Sequence, residues 1–209
     1  PNDAQTVEEL LKCADMAMYY AKENGKNKWQ IFDSKMRRIV ERNHNIERYL
    51  RQALDRKEFS LSYQPQYHTE TNKMRGFEVL LRWNNEELGG NVEPVEFIKI
   101  AENCGFINEI GEWVIRSACE KLEYLWNNYY DDFMISVNIS AIQLMQHNFI
   151  DMVESIISQH NILPEMLEFE ITESIFIESY DQARINLHKI KKMGIKISLD
   201  DFGTGYSSL

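Results

Sequence analysis

One pattern constrains the fold of this chain more than any other. Short runs with period-two alternation are followed by longer runs with helical periodicity. The runs 59–65, 73–83, 133–140, 166–172 and 195–200 alternate as strands do, and 94–106, 107–128, 148–161 and about 180–193 read as helices. Gly194 is placed to end the last of these. Only a few residues separate the first two strands, which predicts a hairpin; a parallel pair would need a longer crossover. The later strands are joined by helix-length segments, which predicts a largely parallel α/β sheet. Each strand carries one apolar face: Phe77, Val79, Leu81 and Trp83; Ile135, Val137 and Ile139; Leu167, Phe169 and Ile171; Ile195, Ile197 and Leu199. Gln64, Glu78, Arg82, Asn138, Glu170 and Asp200 fall on the opposite face. Strands of a doubly wound sheet are apolar on both faces. A sheet curling into a TIM-like barrel around a polar interior explains the alternation better, with its helices outside. A half-exposed antiparallel sheet is the alternative, and the long connections speak against it.

Glu78, Asn138, Glu170, Asp200 and Asp201 therefore converge on the inner face. Oxygen ligands without His or Cys suit Mg2+ or Mn2+ better than zinc. The same acids could instead pair with Arg82 or Lys196, and Asp200-Asp201 could simply cap a following helix. The five histidines show no ligand spacing, and the three cysteines, Cys13, Cys104 and Cys119, lie far apart. Reduced, packed thiols in a cytoplasmic protein are expected. No run approaches a membrane span and residues 1–12 lack the features of a signal peptide. A formal net charge of −10 argues against long nucleic acid, but not against a small phosphodiester held through bound metal.

Five motifs occur in order: Tyr63-Gln64-Pro65, Glu78-Val79-Leu80-Leu81-Arg82, Val137-Asn138-Ile139-Ser140, Glu170-Ile171-Thr172-Glu173 and Asp200-Asp201-Phe202-Gly203-Thr204-Gly205. In this order and spacing, from about residue 45 onward, the chain resembles the EAL-domain family of cyclic-di-GMP phosphodiesterases. The name-giving triplet is Glu-Val-Leu here, and the changed residue, Val79, points to the apolar face. The resemblance implies an incomplete EAL-type (β/α)8 barrel with an antiparallel first strand. It implies that Glu78, Asn138, Glu170 and Asp200 bind one divalent ion. Asp201 would contribute to a second, and Glu173 would anchor a loop beside the site. Gln64, Leu80 and Arg82 resemble substrate contacts. The implied reaction opens cyclic di-GMP to linear pGpG with two Mg2+ or Mn2+ ions. A non-catalytic cyclic-di-GMP receptor, or a regulatory or dimerisation module, is the alternative.

Residues 7–24 read as a helix, followed by a short strand, NKWQIF (27–32). The segment CADMAMYYAKENGKNKW (13–29) resembles the closing helix and strand of GGDEF domains. Residues 1–33 are thus expected to be the C-terminal remnant of such a domain, with an ordinary amphipathic helix as the alternative. A linker helix over 34–57 joins it to the barrel portion, 58–209. The family's downstream lysine, glutamate and glutamine lie beyond Leu209, as do about three strands of the implied barrel. The 209-residue chain is therefore expected to be inactive alone, and to form a homo-oligomer or swapped dimer that covers its open edges. Hydrolysis of cyclic di-GMP by the purified chain would count against the first expectation, and a monomeric mass against the second.

Overall fold

The computed structural model describes residues 4–23, 25, 27–129, 133–172 and 180–200. Helix α1 (Val7–Glu23) opens with a reciprocal cap. Thr6 Oγ1 accepts from the Glu9 amide, and Glu9 Oε2 accepts from the Gln5 and Thr6 amides. Helix α2 (Ser34–Ala53) starts at Asp33, whose carboxylate accepts from the Lys35 amide. It ends four residues short of the expected helix: residues 54–57 form turns, with Lys57 at a φ of 55°. Residues 27–32, expected to form a strand, contain none, and Trp29 and Ile31 are exposed. A strand is stable only when a neighbour pairs its backbone, and none is paired with this segment among the described residues.

The hairpin is present. Strands β1 (Phe59–Tyr67) and β2 (Met74–Asn85) pair antiparallel, from Phe59 opposite Trp83 to Gln66 opposite Gly76. A bulge follows Gln66 and shifts Tyr67 to lie opposite Met74. Two left-handed glycines, Gly89 and Gly90, then turn the chain into β3 (Gly90–Val92), a short antiparallel return on β2. Three residues are too few for periodicity to have signalled this strand. Helices α3 (Pro94–Cys104) and α4 (Ile107–Tyr129) follow, with Pro94 in the first turn of α3. Next come β4 (Met134–Ile139), the one-turn α5 (Ala141–Leu144), α6 (Phe149–Ser158) and β5 (Leu167–Thr172). The last elements are α7 (Tyr180–Lys192) and β6 (Lys196–Asp200). The strand order is β1-β2-β4-β5-β6, and every contact from β2 to β6 along it is parallel. This is the partial sheet of an incomplete TIM-type barrel.

The apolar strand faces pack under the helices as the alternation requires. Val79, Trp83, Ile135, Val137, Ile139, Leu167, Phe169, Ile171 and Ile195 are buried in one core with Ile115, Ala118 and Leu122 of α4 and Val153 and Ile156 of α6. Helix α2 joins the same core through Ile46, Leu50 and Ala53. Arg42 fastens it further, donating to the Leu88 carbonyl at 2.7 Å and pairing with Glu96 on α3. At the hairpin's open end, Trp83 is fully buried against Phe59 and Phe97. Its indole Nε1 and the Nδ2 of buried Asn85 both donate to Glu58 Oε2, each at 2.9 Å. No helix among the described residues is long and apolar enough to cross a membrane.

Glu58 is thus the acceptor for two buried donors. Glu58→Ala should lower unfolding stability by about 2–4 kcal/mol, because both donors lose their partner without gaining water. Glu58→Gln, which keeps an acceptor oxygen, should cost about 1 kcal/mol. Chemical denaturation of the two variants separates the outcomes; equal losses would locate the effect elsewhere.

Candidate functional site

The parallel register brings the inner-face polar residues together at the C-terminal ends of the strands. Asn138 on β4 lies directly opposite Glu170 on β5, and Thr172 lies opposite Asp200 on β6. Glu78 on β2 sits one pleat lower, opposite Ser136, and its side chain reaches upward. Asn138 Nδ2 donates to Glu78 Oε1 at 2.9 Å, which leaves Asn138 Oδ1 as an acceptor. Gln66 Nε2 donates to Glu170 Oε1 at 3.2 Å. Glu170 is half-buried. Its burial and, next, the negative charge of Glu78 raise its pKa above the ordinary glutamate value, against the hydrogen bond from Gln66.

Leu80 and Arg82 line a cleft of about 500 Å3 together with Asn138, Glu170 and Thr172. Arg82 donates to the Leu81 carbonyl at 3.0 Å. The cleft continues between apolar side chains of α3 and α4, including Ile98, Ile107 and Ile110. Gln64 lies opposite Glu78 on the exposed side of β1. A larger hollow, about 930 Å3, separates α1 from residues 27–32. Its lining carries Leu10, Ala17, Met18, Trp29 and Phe32 and no carboxylate, so the acid-lined cleft is the better candidate for phosphate chemistry.

The sequence-predicted residues are therefore brought together in part. Asn138 is hydrogen-bonded to Glu78 and stands opposite Glu170, and Leu80 and Arg82 border a cleft with Asn138 and Glu170. Asp200 is one strand further on and exposed. Among the described residues no three His, Cys, Asp or Glu side chains converge closely enough to hold a metal ion. Asp201 and Glu173 lie outside the described residues. The chemistry of the donor set still fits a hard divalent cation: carboxylate and amide oxygens, with the Glu78 charge acting on half-buried Glu170. For Glu78 and Glu170, the alternative pairing with Arg82 or Lys196 is not the arrangement found. Glu78 and Glu170 take Asn138 and Gln66 as partners instead. The acid that does form an ion pair is buried Glu168, at 2.7 Å from Arg75 below the site.

Sequence reasoning missed Gln66, Arg75, Ser136, Glu168 and Thr172. Four of them were visible in principle, because 66, 136, 168 and 172 share the parity of 64, 138 and 170 on their strands. Arg75 gave no such signal.

Comparison with known proteins places this geometry. The EAL domain family model matches residues 47–209. The chain belongs to the EAL domain family. Among curated proteins it is similar to the bifunctional diguanylate cyclase/cyclic di-GMP phosphodiesterase MucR of Pseudomonas aeruginosa, 39% identical over 209 residues. The cyclic di-GMP phosphodiesterase NbdA of the same organism is 34% identical over 209 residues. Both matches cover 100% of this chain, but only 30% and 27% of the relatives, so the chain spans less than a third of their length. Among solved structures, the EAL fold superposes on the PaMucR phosphodiesterase in complex with c-di-GMP at a TM-score of 0.74 and 38% identity. That match covers 78% of this chain and 66% of the other. The EAL enzyme Bd1971, bound to cAMP and cyclic-di-GMP, matches at a TM-score of 0.76 and 30% identity, over 100% of this chain and 54% of its own.

The raised pKa of Glu170 sets a pH dependence. The metal-free fold holds this proton to a higher pH than the unfolded chain does. Its contribution to stability is therefore full on the acid side and is lost as pH rises from the ordinary glutamate pKa through the folded one. In a chelating buffer Glu170→Gln should melt above wild type at about pH 8 and lose that advantage below about pH 4. A melting difference independent of pH would count against this.

Proposed function

We propose that this EAL domain serves a metal-dependent phosphodiesterase that hydrolyses cyclic di-GMP to linear pGpG. The observation that carries the proposal is the grouping of Glu78, Asn138 and Glu170 on one face of adjacent parallel strands, beside a cleft bordered by Arg82. The names of MucR and NbdA and the c-di-GMP complex of PaMucR support the choice of substrate.

Glu78, Asn138, Glu170 and Asp200 are proposed to hold one divalent ion, Mg2+ or Mn2+, with Asp201 contributing to a second. Once bound, such ions supply an activated water and neutralise charge on the phosphodiester. Arg82 would pair with a non-bridging phosphate oxygen. Gln64 and Leu80 would hold the nucleotide against the strand ends, and Glu173 would anchor the adjoining loop. Water adds to phosphorus, one bridging P–O bond breaks, and the released 3′-oxygen takes up a proton, giving pGpG.

The chain's surroundings belong to the same proposal. Curated relatives match across residues 1–46 as well as the EAL region, and MucR is named as a diguanylate cyclase too. This supports reading 1–33 as part of a GGDEF-like domain and 34–57 as its connection to the barrel. A cytoplasmic location and a homo-oligomeric or swapped assembly are proposed on the grounds given from the sequence. The 209-residue chain is proposed to be inactive alone, since it spans 66% of the solved PaMucR phosphodiesterase chain.

The test is hydrolysis of cyclic di-GMP by the full-length polypeptide, followed chromatographically as pGpG. Activity should vanish with chelation and return with Mg2+ or Mn2+. Glu78→Gln and Glu170→Gln should each lower kcat/KM by roughly 100-fold or more, and Arg82→Ala should raise KM about tenfold. Tight binding of cyclic di-GMP without pGpG production would instead favour the receptor.

A further inference from the structure

Beneath the proposed ligands, the inner face closes into a connected polar floor. Glu170 Oε1 accepts from Gln66 Nε2 at 3.2 Å. A carboxylate only accepts, so this contact fixes which way the Gln66 amide points. Its other end, Oε1, faces the Ser136 hydroxyl at 3.3 Å. Ser136 is fully buried, and its hydroxyl lies 2.8 Å from Glu168 Oε2. The opposite oxygen of Glu168 is held by Arg75 at 2.7 Å. Four strands are thereby tied through side chains, from β1 and β2 across β4 to β5. The backbone is shaped for this: the β1 bulge falls immediately after Gln66. Opposite Gln66 stands Gly76, where any Cβ would run into the Met134 backbone on β4.

We propose that Gln66 is a positioning residue of the metal site. It holds the Glu170 carboxylate in its ligating orientation, and the one proton of the Ser136 hydroxyl is shared between Gln66 Oε1 and Glu168 Oε2. The physical ground is general. A ligating carboxylate has rotational freedom to lose when it binds a cation, and a donor that fixes it beforehand removes that cost. The site has a particular need of such a brace. Glu170 feels the like charge of Glu78, and a fixed donor opposes that repulsion. Gln66 supplies that donor without adding a positive charge that would compete with the cation. The ion pair that could have done so, Arg75 with Glu168, is kept one pleat lower, opposite Ser136 rather than Asn138.

The inference rests on the metal site proposed above, and the test separates the two. Mn2+ affinity of the full-length polypeptide is measured by calorimetry for wild type, Gln66→Met, Ser136→Ala and Glu170→Gln. The melting temperature of each metal-free protein is measured alongside. Gln66→Met keeps the side-chain volume and removes the donor; it should weaken Mn2+ binding about tenfold with little change in metal-free melting. Ser136→Ala, a minimal change at a buried site, should weaken it in the same direction by less. Glu170→Gln should weaken it most, and adding Gln66→Met to that background should have no further effect, because Gln66 acts through Glu170. Unchanged affinity in Gln66→Met, with Glu170→Gln impaired, overturns the positioning role alone. A loss of affinity that merely follows a fall in metal-free melting also overturns it. Absence of Mn2+ binding in wild type, or full affinity in Glu170→Gln, overturns the metal site and this inference with it.

Discussion

Parallel backbone pairing between β4 and β5 is the constraint on which the rest of the site depends. It sets Asn138 opposite Glu170 and Ser136 opposite Glu168, and a slip of one residue would turn the slipped strand's pair toward the helices. The apolar partners on the other face prevent that slip. Ile135, Val137 and Ile139 alternate with Leu167, Phe169 and Ile171 along the pair, all six buried under α4 and α6. At about 1.5–3 kcal/mol for each large side chain removed from water, the packed face outweighs anything the polar face could gain from another register. The chemistry at the strand ends is thus held in place by the hydrophobic face behind it.

The inner face is not uniform along its length. Toward the N-terminal ends of the parallel strands it is closed, with Ser136 and Glu168 buried and satisfied by Gln66 and Arg75. Toward the C-terminal ends it opens, and Asn138 and Glu170 meet a cleft that a small ligand could enter. Burial is cheap for the lower acid, because an ion pair and a hydroxyl satisfy it. For the upper acid the partners are neutral and a like charge is close, so burial raises its pKa. Two glutamates two residues apart on one strand therefore have opposite electrostatic tasks, set by their neighbours.

Much of this was legible in the residues. The period-two alternation announced which face of each strand is buried, and the short β1–β2 connection announced the hairpin. The spacing of the helical segments announced the parallel strands. The elements that escaped were those too short to show a period, β3 and α5, and a strand expected at 27–32 that lacks a pairing neighbour. Of the site, Glu78, Asn138 and Glu170 were legible, along with Leu80 and Arg82 at its margin. Gln66, Ser136 and Glu168 were legible only as inner-face positions, because a polar residue on a strand carries no sign of how deep along the barrel it will lie or what it will touch. Arg75 was hidden by its parity, which matches the apolar Phe77 and Val79 rather than Glu78.

The sequence by itself determined the α/β architecture, the polar inner face and membership in the EAL domain family. Those properties reside in local periodicity and in motifs whose order survives without coordinates. Only the tertiary structure decided which inner residues touch, and therefore which acid is paired and which is crowded. Contact across a sheet depends on strand order, register and bulges, none of which is a property of any single stretch of the chain. That is why Glu168 and Glu170 look alike in the sequence, while the fold gives one an arginine and the other an amide and a neighbouring carboxylate.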